Sequence, residues 1–172
     1  MRRARREEPL TLTLSGPRLA ARRASPADAR ELQACLESAP RYYTLTEGKP
    51  PRPETAAEML ADAEFDDRRH LFLLAPRPDR PAVGLLDLYL DYPEPRTAQI
   101  GLLLFREACQ GQGYGRETTA VLEAELLQMG YSALRIAVLD GNPEASLFWE
   151  RLGFSAIGRL DRAATVYEKV LG

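Results

Sequence analysis

The chain has 172 residues, 45% of them hydrophobic, and a formal net charge of −2. That is the length of one domain with enough apolar side chains for a sizeable core. No run of roughly 18 apolar residues is present to cross a bilayer, and the charge argues against a nucleic-acid binder, which needs a basic surface to neutralise phosphates. Cys35 and Cys109 form no CxxC pair and His70 is the single histidine, so no disulfide framework, zinc site or histidine-based dyad is indicated.

The opening MRRARREEPL is basic but has no apolar segment behind it, so it reads as a solvated tail rather than a secretory signal, with a cytoplasmic location as the default. Residues 1–16 are assigned to this tail or a short strand, and 17–172 to a single domain. Arg18 to Ser25 predicts a strand. Ser25-Pro26 then starts a helix, with a plausible N-cap followed by proline at N1 and a stripe of Leu32, Cys35 and Leu36. Pro40 and TEGKPPRP predict a loop through residue 53, and Glu54 to Phe65 a second helix. Strands are expected over 70–76, Ala82 to Leu90 and Thr97 to Phe105, the last dense enough in apolar residues to be buried on both faces. DYPEPR (91–96) is a hairpin-type turn.

Next comes CQGQGYGRE. Behind it, Thr118, Val121, Leu122, Leu126 and Met129 fall on one helical face, and Gly130 stands where a C-terminal cap belongs. Leu134, Ile136 and Val138 alternate as a strand. Asn142-Pro143 starts a helix with Ala145, Phe148, Trp149 and Leu152 on one face, ended by Gly153. Strands follow over Phe154 to Ile157 and Ala164 to Val170. The order is that of one mixed α/β domain.

Gly111, Gly113 and Gly115 alternate just ahead of a helix. A P-loop is excluded because no lysine follows the glycines, and the dinucleotide fingerprint G-x-G-x-x-G is met only imperfectly, although Asp140 lies about 20–25 residues on. Glycines let the backbone take positive φ and approach a ligand, and a helix N-terminus offers unpaired N–H groups to an anion. Arg116 in the first turn opposes the helix dipole unless an anion compensates it. Gln110 to Arg116 therefore suit a pyrophosphate, and a ligand-free strand-to-helix turn explains the glycines as well.

Gln110-Gly111-Gln112-Gly113-Tyr114-Gly115 fits the Gln/Arg-x-x-Gly-x-Gly/Ala motif of the GNAT family of N-acetyltransferases. The later segment Asn142 to Phe154, closing in Phe148-Trp149-Glu150-Arg151-Leu152-Gly153-Phe154, resembles a second landmark of that family. The resemblance is specific over residues 97–158. It implies a GNAT-type fold of the mixed α/β class: a mostly antiparallel sheet of six or seven strands, about four flanking helices and a splayed parallel strand pair.

It implies acetyl-CoA as co-substrate and no metal. Leu103, Leu104 and Phe105 would offer main-chain groups to the pantetheine arm. Main-chain N–H groups from Gln110, Gly111, Gln112, Gly113, Tyr114, Gly115 and Arg116 would hold the pyrophosphate, with Asn142 beside the pantetheine and Phe148 near the thiol end. The implied reaction is direct attack by a primary amine of a small molecule or a protein on the thioester, with the Leu103 or Leu104 N–H, the latter preferred, as oxyanion donor.

Two positions depart from the family pattern. Gln99 replaces an acidic residue, leaving Asp87 as the candidate base although a solvent-facing role also explains it, and Trp149 replaces a tyrosine acid. Tyr42, Tyr43, Tyr89 and Tyr92 are candidates for the acceptor side, and Cys109 reads as a packed thiol. Asp87, Asp91 and Glu94 hint at a cationic acceptor. A CoA-binding module without efficient transfer and a dinucleotide-binding domain are the competing readings. A homodimer is compatible with the resemblance, whereas nucleic-acid and membrane partners are not expected.

Overall fold

Apolar side chains alternate along successive extended stretches, and their burial on both sides of one sheet organises the molecule. The computed structural model describes residues 12–161 and 163–172. The strands are β1 (Ala20–Arg23), β2 (Arg69–Ala75), β3 (Gly84–Tyr89), β4 (Thr97–Phe105), β5 (Ala133–Leu139), β6 (Ser155–Leu160) and β7 (Ala164–Val170). They form a seven-stranded sheet in the order β1-β2-β3-β4-β5-β7-β6. Every pairing is antiparallel except β4 with β5.

The helices are α1 (Ala29–Glu37), α2 (Pro40–Thr46), α3 (Thr55–Phe65), α4 (Tyr114–Gln128) and α5 (Pro143–Arg151). One core lies between the sheet and α4, around Leu86, Leu88, Ile100, Leu122, Leu126, Leu134 and Ile136, with Trp149 of α5 joining it. The other packs Leu32, Leu36 and Tyr43 against Leu71, Leu73, Leu85 and Leu104 on the opposite face. Burial of such side chains stabilises by roughly 1.5–3 kcal/mol each.

Caps set the helix starts. The Ser25 N–H and Oγ both donate to the Asp28 carboxylate, and a 3₁₀ turn over Pro26–Asp28 precedes α1, so the helix begins three residues later than proline at N1 predicts. Asn142 caps α5 as expected, its Oδ1 accepting from the Ala145 N–H at 3.3 Å. Gly130 takes φ +86° just past α4, and Gly153 takes +89° past α5.

Three expectations need correcting. Residues 40–46 are α2, not loop: Pro40 sits in the first turn and Tyr43 is buried against α1, so tertiary burial stabilises a helix that the neighbouring prolines disguise. Five helices therefore flank the sheet. Second, β4 is not buried along its length; Gly101 is exposed and Leu102 and Leu103 are half-buried, just past Ile100 where the pairing to β5 stops. Third, β6 starts one residue late and runs to Leu160, exposed on both faces, so no burial period marks it.

Of the segment expected to be tail or strand over 1–16, residues 1–11 lie outside the described residues. Leu14 is buried, and Ser15 bridges to Ala20.

Candidate functional site

The parallel pair β4–β5 is joined only from Thr97–Ala133 to Ile100–Ile136. Both strands continue, β4 to Phe105 and β5 to Leu139, without pairing to each other. Beyond Ile100 the edge of β4 that faces β5 has therefore lost its partner, and a cleft of about 460 Å³ opens there.

Which main-chain groups face the gap follows from the other edge. The Arg106 N–H donates to the Val83 carbonyl. In antiparallel register Leu104 pairs with Leu85, two residues back, so its N–H and C=O also point to β3. The close approach of the Leu104 oxygen to Gly84, 2.6 Å from where a Cβ would stand, agrees. Leu103 and Phe105 consequently face the gap, and the Phe105 carbonyl is held there by the Gln110 side-chain amide at 3.0 Å. The Leu104 N–H expected as oxyanion donor is thus directed at β3, and the open donors are those of Leu103 and Phe105.

The second wall is the glycine turn. Gly111 has φ +72° and Gly113 φ +83°, values that strain other L residues. The Glu117 N–H donates to the Gly113 carbonyl and closes the first turn of α4, leaving Tyr114, Gly115 and Arg116 N–H groups without helical partners. Gln110 differs from expectation: its N–H already donates to the Glu107 carbonyl, so the free donors begin at Gly111. Arg116 is exposed and has no ion-pair partner among the described residues, at the positive end of a fifteen-residue helix. That placement favours a bound anion.

Leu103, Leu104, Phe105, Gln110, Gly111, Gly113, Tyr114, Gly115, Arg116, Asn142 and Phe148 all border the cleft. Gln112 is the exception in this set; its side chain donates to the Ala108 carbonyl and its own carbonyl accepts from Arg18. Gly115 passes close to Phe148, whose Cζ lies 3.0 Å from the position of an added Cβ. Trp149 is buried, edge-on to Phe148 and Phe154, and indole offers only an N–H. Cys109 is a free, half-buried thiol at the rim.

Residues absent from the expected set complete the cleft. Arg41 and Leu45 come from α2, beside the expected Tyr42, and Glu144 and Ala145 from the start of α5. The Arg41–Glu144 ion pair, 2.6 Å, links the two helices across the mouth. The proline at N1 of α2 and the candidate Tyr42 were the available signals for this wall. Among the four candidate tyrosines only Tyr42 reaches the cleft, and burial pushes its hydroxyl up. Tyr43 is core, while Tyr89 and Tyr92 lie beneath Arg69 and Arg68.

Asp87 is not solvent-facing and does not border this cleft. It is 4% exposed, and Arg69 grips both oxygens, Nε to Oδ1 at 3.0 Å and Nη2 to Oδ2 at 2.8 Å. Burial raises the carboxyl's pKa against the pull of Arg69. With both oxygens engaged in a bidentate pair, this group is no free base.

Glu117 also anchors structure: it accepts from the Arg18 and Leu19 N–H groups and from Arg18 Nε. Burial opposes ionisation, but these hydrogen bonds outweigh it and hold the carboxyl below its ordinary 4.5. A depressed pKa stabilises above the unfolded value, and the contribution disappears as pH falls through the folded one. Glu117→Gln is expected to lower the melting temperature by about 2–4 °C at neutral pH, the equivalent of about 1 kcal/mol. That gap should narrow as pH falls below the carboxyl's ordinary 4.5, in melting curves recorded across pH.

Among the described residues no cluster of three or more His, Cys, Asp or Glu is placed to hold a metal, and no helix is long and apolar enough to cross a membrane. An acetyltransferase from Thermus thermophilus superposes with a TM-score of 0.83 at 32% identity, over 92% of this chain and 99% of that one. The fold is shared with spermidine N-acetyltransferase from Vibrio cholerae, solved with CoA and spermine (TM-score 0.70, 16% identity, 90% and 96% coverage). It is shared too with the ribosomal-protein-S18-alanine N-acetyltransferase of Escherichia coli (0.66, 16%, 90% and 94%). Comparison with curated protein sequences gives no significant match. The acetyltransferase (GNAT) family model matches residues 32–154, which span the splayed strands, the glycine turn and the Asn142-led helix, and the chain belongs to that family.

Proposed function

We propose that this chain is an acetyl-CoA-dependent N-acetyltransferase that passes the acetyl group directly to a primary amine of a small molecule or protein. The observation that carries the proposal is the juxtaposition of two sets of unpaired main-chain donors across one cleft, at Leu103 and Phe105 on β4 and from Gly111 to Arg116 at the start of α4. A pantetheine arm ending in a pyrophosphate has amide and phosphate groups matched to those two sets. Asn142, Ala145 and Phe148 line the far side of the arm.

Direct transfer needs an oxyanion donor, and the Leu103 N–H fills that role in place of Leu104. A proton for the departing thiolate comes from Tyr42, the cleft tyrosine on α2, whose hydroxyl stays protonated at neutral pH. Thiolate, with a pKa of about 8.5, also leaves unaided at modest cost. The cleft carboxylate, Glu144, is paired with Arg41, so the incoming ammonium loses its proton to solvent.

The acidic residues that hinted at a cationic acceptor are engaged elsewhere: Asp87 by Arg69, Asp91 by the Arg96 N–H and Tyr131, and Glu94 by Arg135. Solvent deprotonation and a buried Trp149 also fit the alternative of a CoA-binding module without efficient transfer. Acetyl-CoA at 100 times its dissociation constant should stabilise the fold by about 2.7 kcal/mol in a thermal-shift titration, and NAD should not. CoA release should then appear with at least one member of a panel of polyamines, amino acids, aminoglycosides and peptides. Stabilisation without release from any amine would favour the binding module, and stabilisation by NAD alone would overturn both readings.

A further inference from the structure

We propose that Arg18 is a positioning residue that holds the glycine turn in its anion-ready shape from behind, acting through the loop rather than on the ligand. The inference rests on the reading of that turn as the pyrophosphate site. Residues 14–21 fold back on themselves, the Gly16 N–H donating to the Leu19 carbonyl and the Ala21 N–H to the Leu14 carbonyl, each at 2.7 Å. Gly16 lets this strap lie against α4, because a Cβ there would stand 2.7 Å from Glu117 Oε1 and 3.2 Å from Val121.

From the strap Arg18 makes three different contacts to the turn and the helix behind it. Nη1 donates to the Gln112 carbonyl at 2.9 Å, Nε donates to Glu117 at 2.7 Å, and the guanidinium lies 4.7 Å over the Tyr114 ring. The partners are Gln112, Tyr114 and Glu117, so one planar cation spans the peptide between the two positive-φ glycines and the first turn of α4. Arg18 is not among the residues that border the cleft.

A turn with glycines at 111, 113 and 115 is intrinsically free to sample many shapes, and ordering it on binding would weaken the complex. A contact that orders it beforehand strengthens binding without touching the ligand. The geometry needs a fork: lysine keeps the charge but cannot serve a carbonyl, a carboxylate and a ring face at once.

The test compares wild type, Arg18→Ala, Arg18→Lys and Glu117→Gln by calorimetric titration with CoA, with melting curves and with amide NMR of Gly111 and Gly113 in ligand-free protein. Arg18→Ala and Arg18→Lys are both expected to weaken CoA binding about tenfold, with Glu117→Gln between them and wild type. The two glycine resonances should shift or broaden before any ligand is added. Wild-type affinity in Arg18→Lys would mean the charge acts on the ligand directly and would overturn the positioning role. Unchanged glycine resonances in Arg18→Ala would overturn it as well. Should Arg18→Ala fail to fold, Arg18→Lys and Glu117→Gln decide. Failure of wild type to bind CoA would remove the pyrophosphate reading, while the ligand-free resonances would still decide whether Arg18 orders the turn.

Discussion

Gly111→Asp is expected to weaken acetyl-CoA binding about a hundredfold relative to Gly111→Asn. The two side chains are nearly the same size, and both tolerate the left-handed conformation better than other non-glycine residues, so the φ of +72° burdens them alike. An added Cβ at this position meets nothing within 4 Å, which removes steric exclusion as an explanation. What differs is one negative charge on the turn proposed to cradle a pyrophosphate. At about 5 Å and an effective dielectric near 20, repulsion between two unit charges is on the order of 3 kcal/mol, or about two decades in affinity. Titration calorimetry on the two variants measures the difference directly. Equal affinities for Asp and Asn would place the pyrophosphate elsewhere.

The second large effect concerns stability. Asp87→Ala is expected to destabilise the fold by about 3–5 kcal/mol, because Arg69 would remain buried without its bidentate partner. The side chains concerned are 11% and 6% exposed, so solvent cannot take over the role, and Asp62 reaches Arg69 only at 3.4 Å. Replacing both members, Arg69→Met with Asp87→Leu, should recover most of the loss, since no buried charge is then left alone. Denaturant melts of the single and double variants test the sign and size. The double variant also addresses chemistry: a folded protein that binds CoA and still transfers acetyl groups would show that Asp87 is no base.

Those two predictions draw on different depths of legibility. The glycine turn, the Asn142 cap, the full extent of β4 and β7 and the apolar faces of α4 were readable because each is a local pattern of spacing or capping. Helix α2 was hidden by the proline-rich segment beside it, and only the burial of Tyr43 explains why it forms. The Arg69–Asp87 pair depends on the antiparallel register of β2 with β3, and the Arg18–Glu117 contact spans 99 positions. No local pattern encodes either. The choice between Leu103 and Leu104 is subtler still. The alternation of the ladder decides it, and a register shift opposite Asp87 and Leu88 interrupts that alternation along β4.

The short seam between β4 and β5 has a mechanical meaning. Four rungs of ladder, Thr97 to Ile100 against Ala133 to Ile136, stitch the antiparallel leaf β1-β2-β3-β4 to the leaf β5-β7-β6, extended at one end by the Ser132 N–H donating to the Arg96 carbonyl. Beyond them the leaves diverge like the covers of a partly opened book, steadied by the helices on either face. A molecule lodged in the cleft meets the open edge of β4 on one side and α5, the helix that follows β5, on the other, so occupancy would tie the two leaves together where the ladder stops.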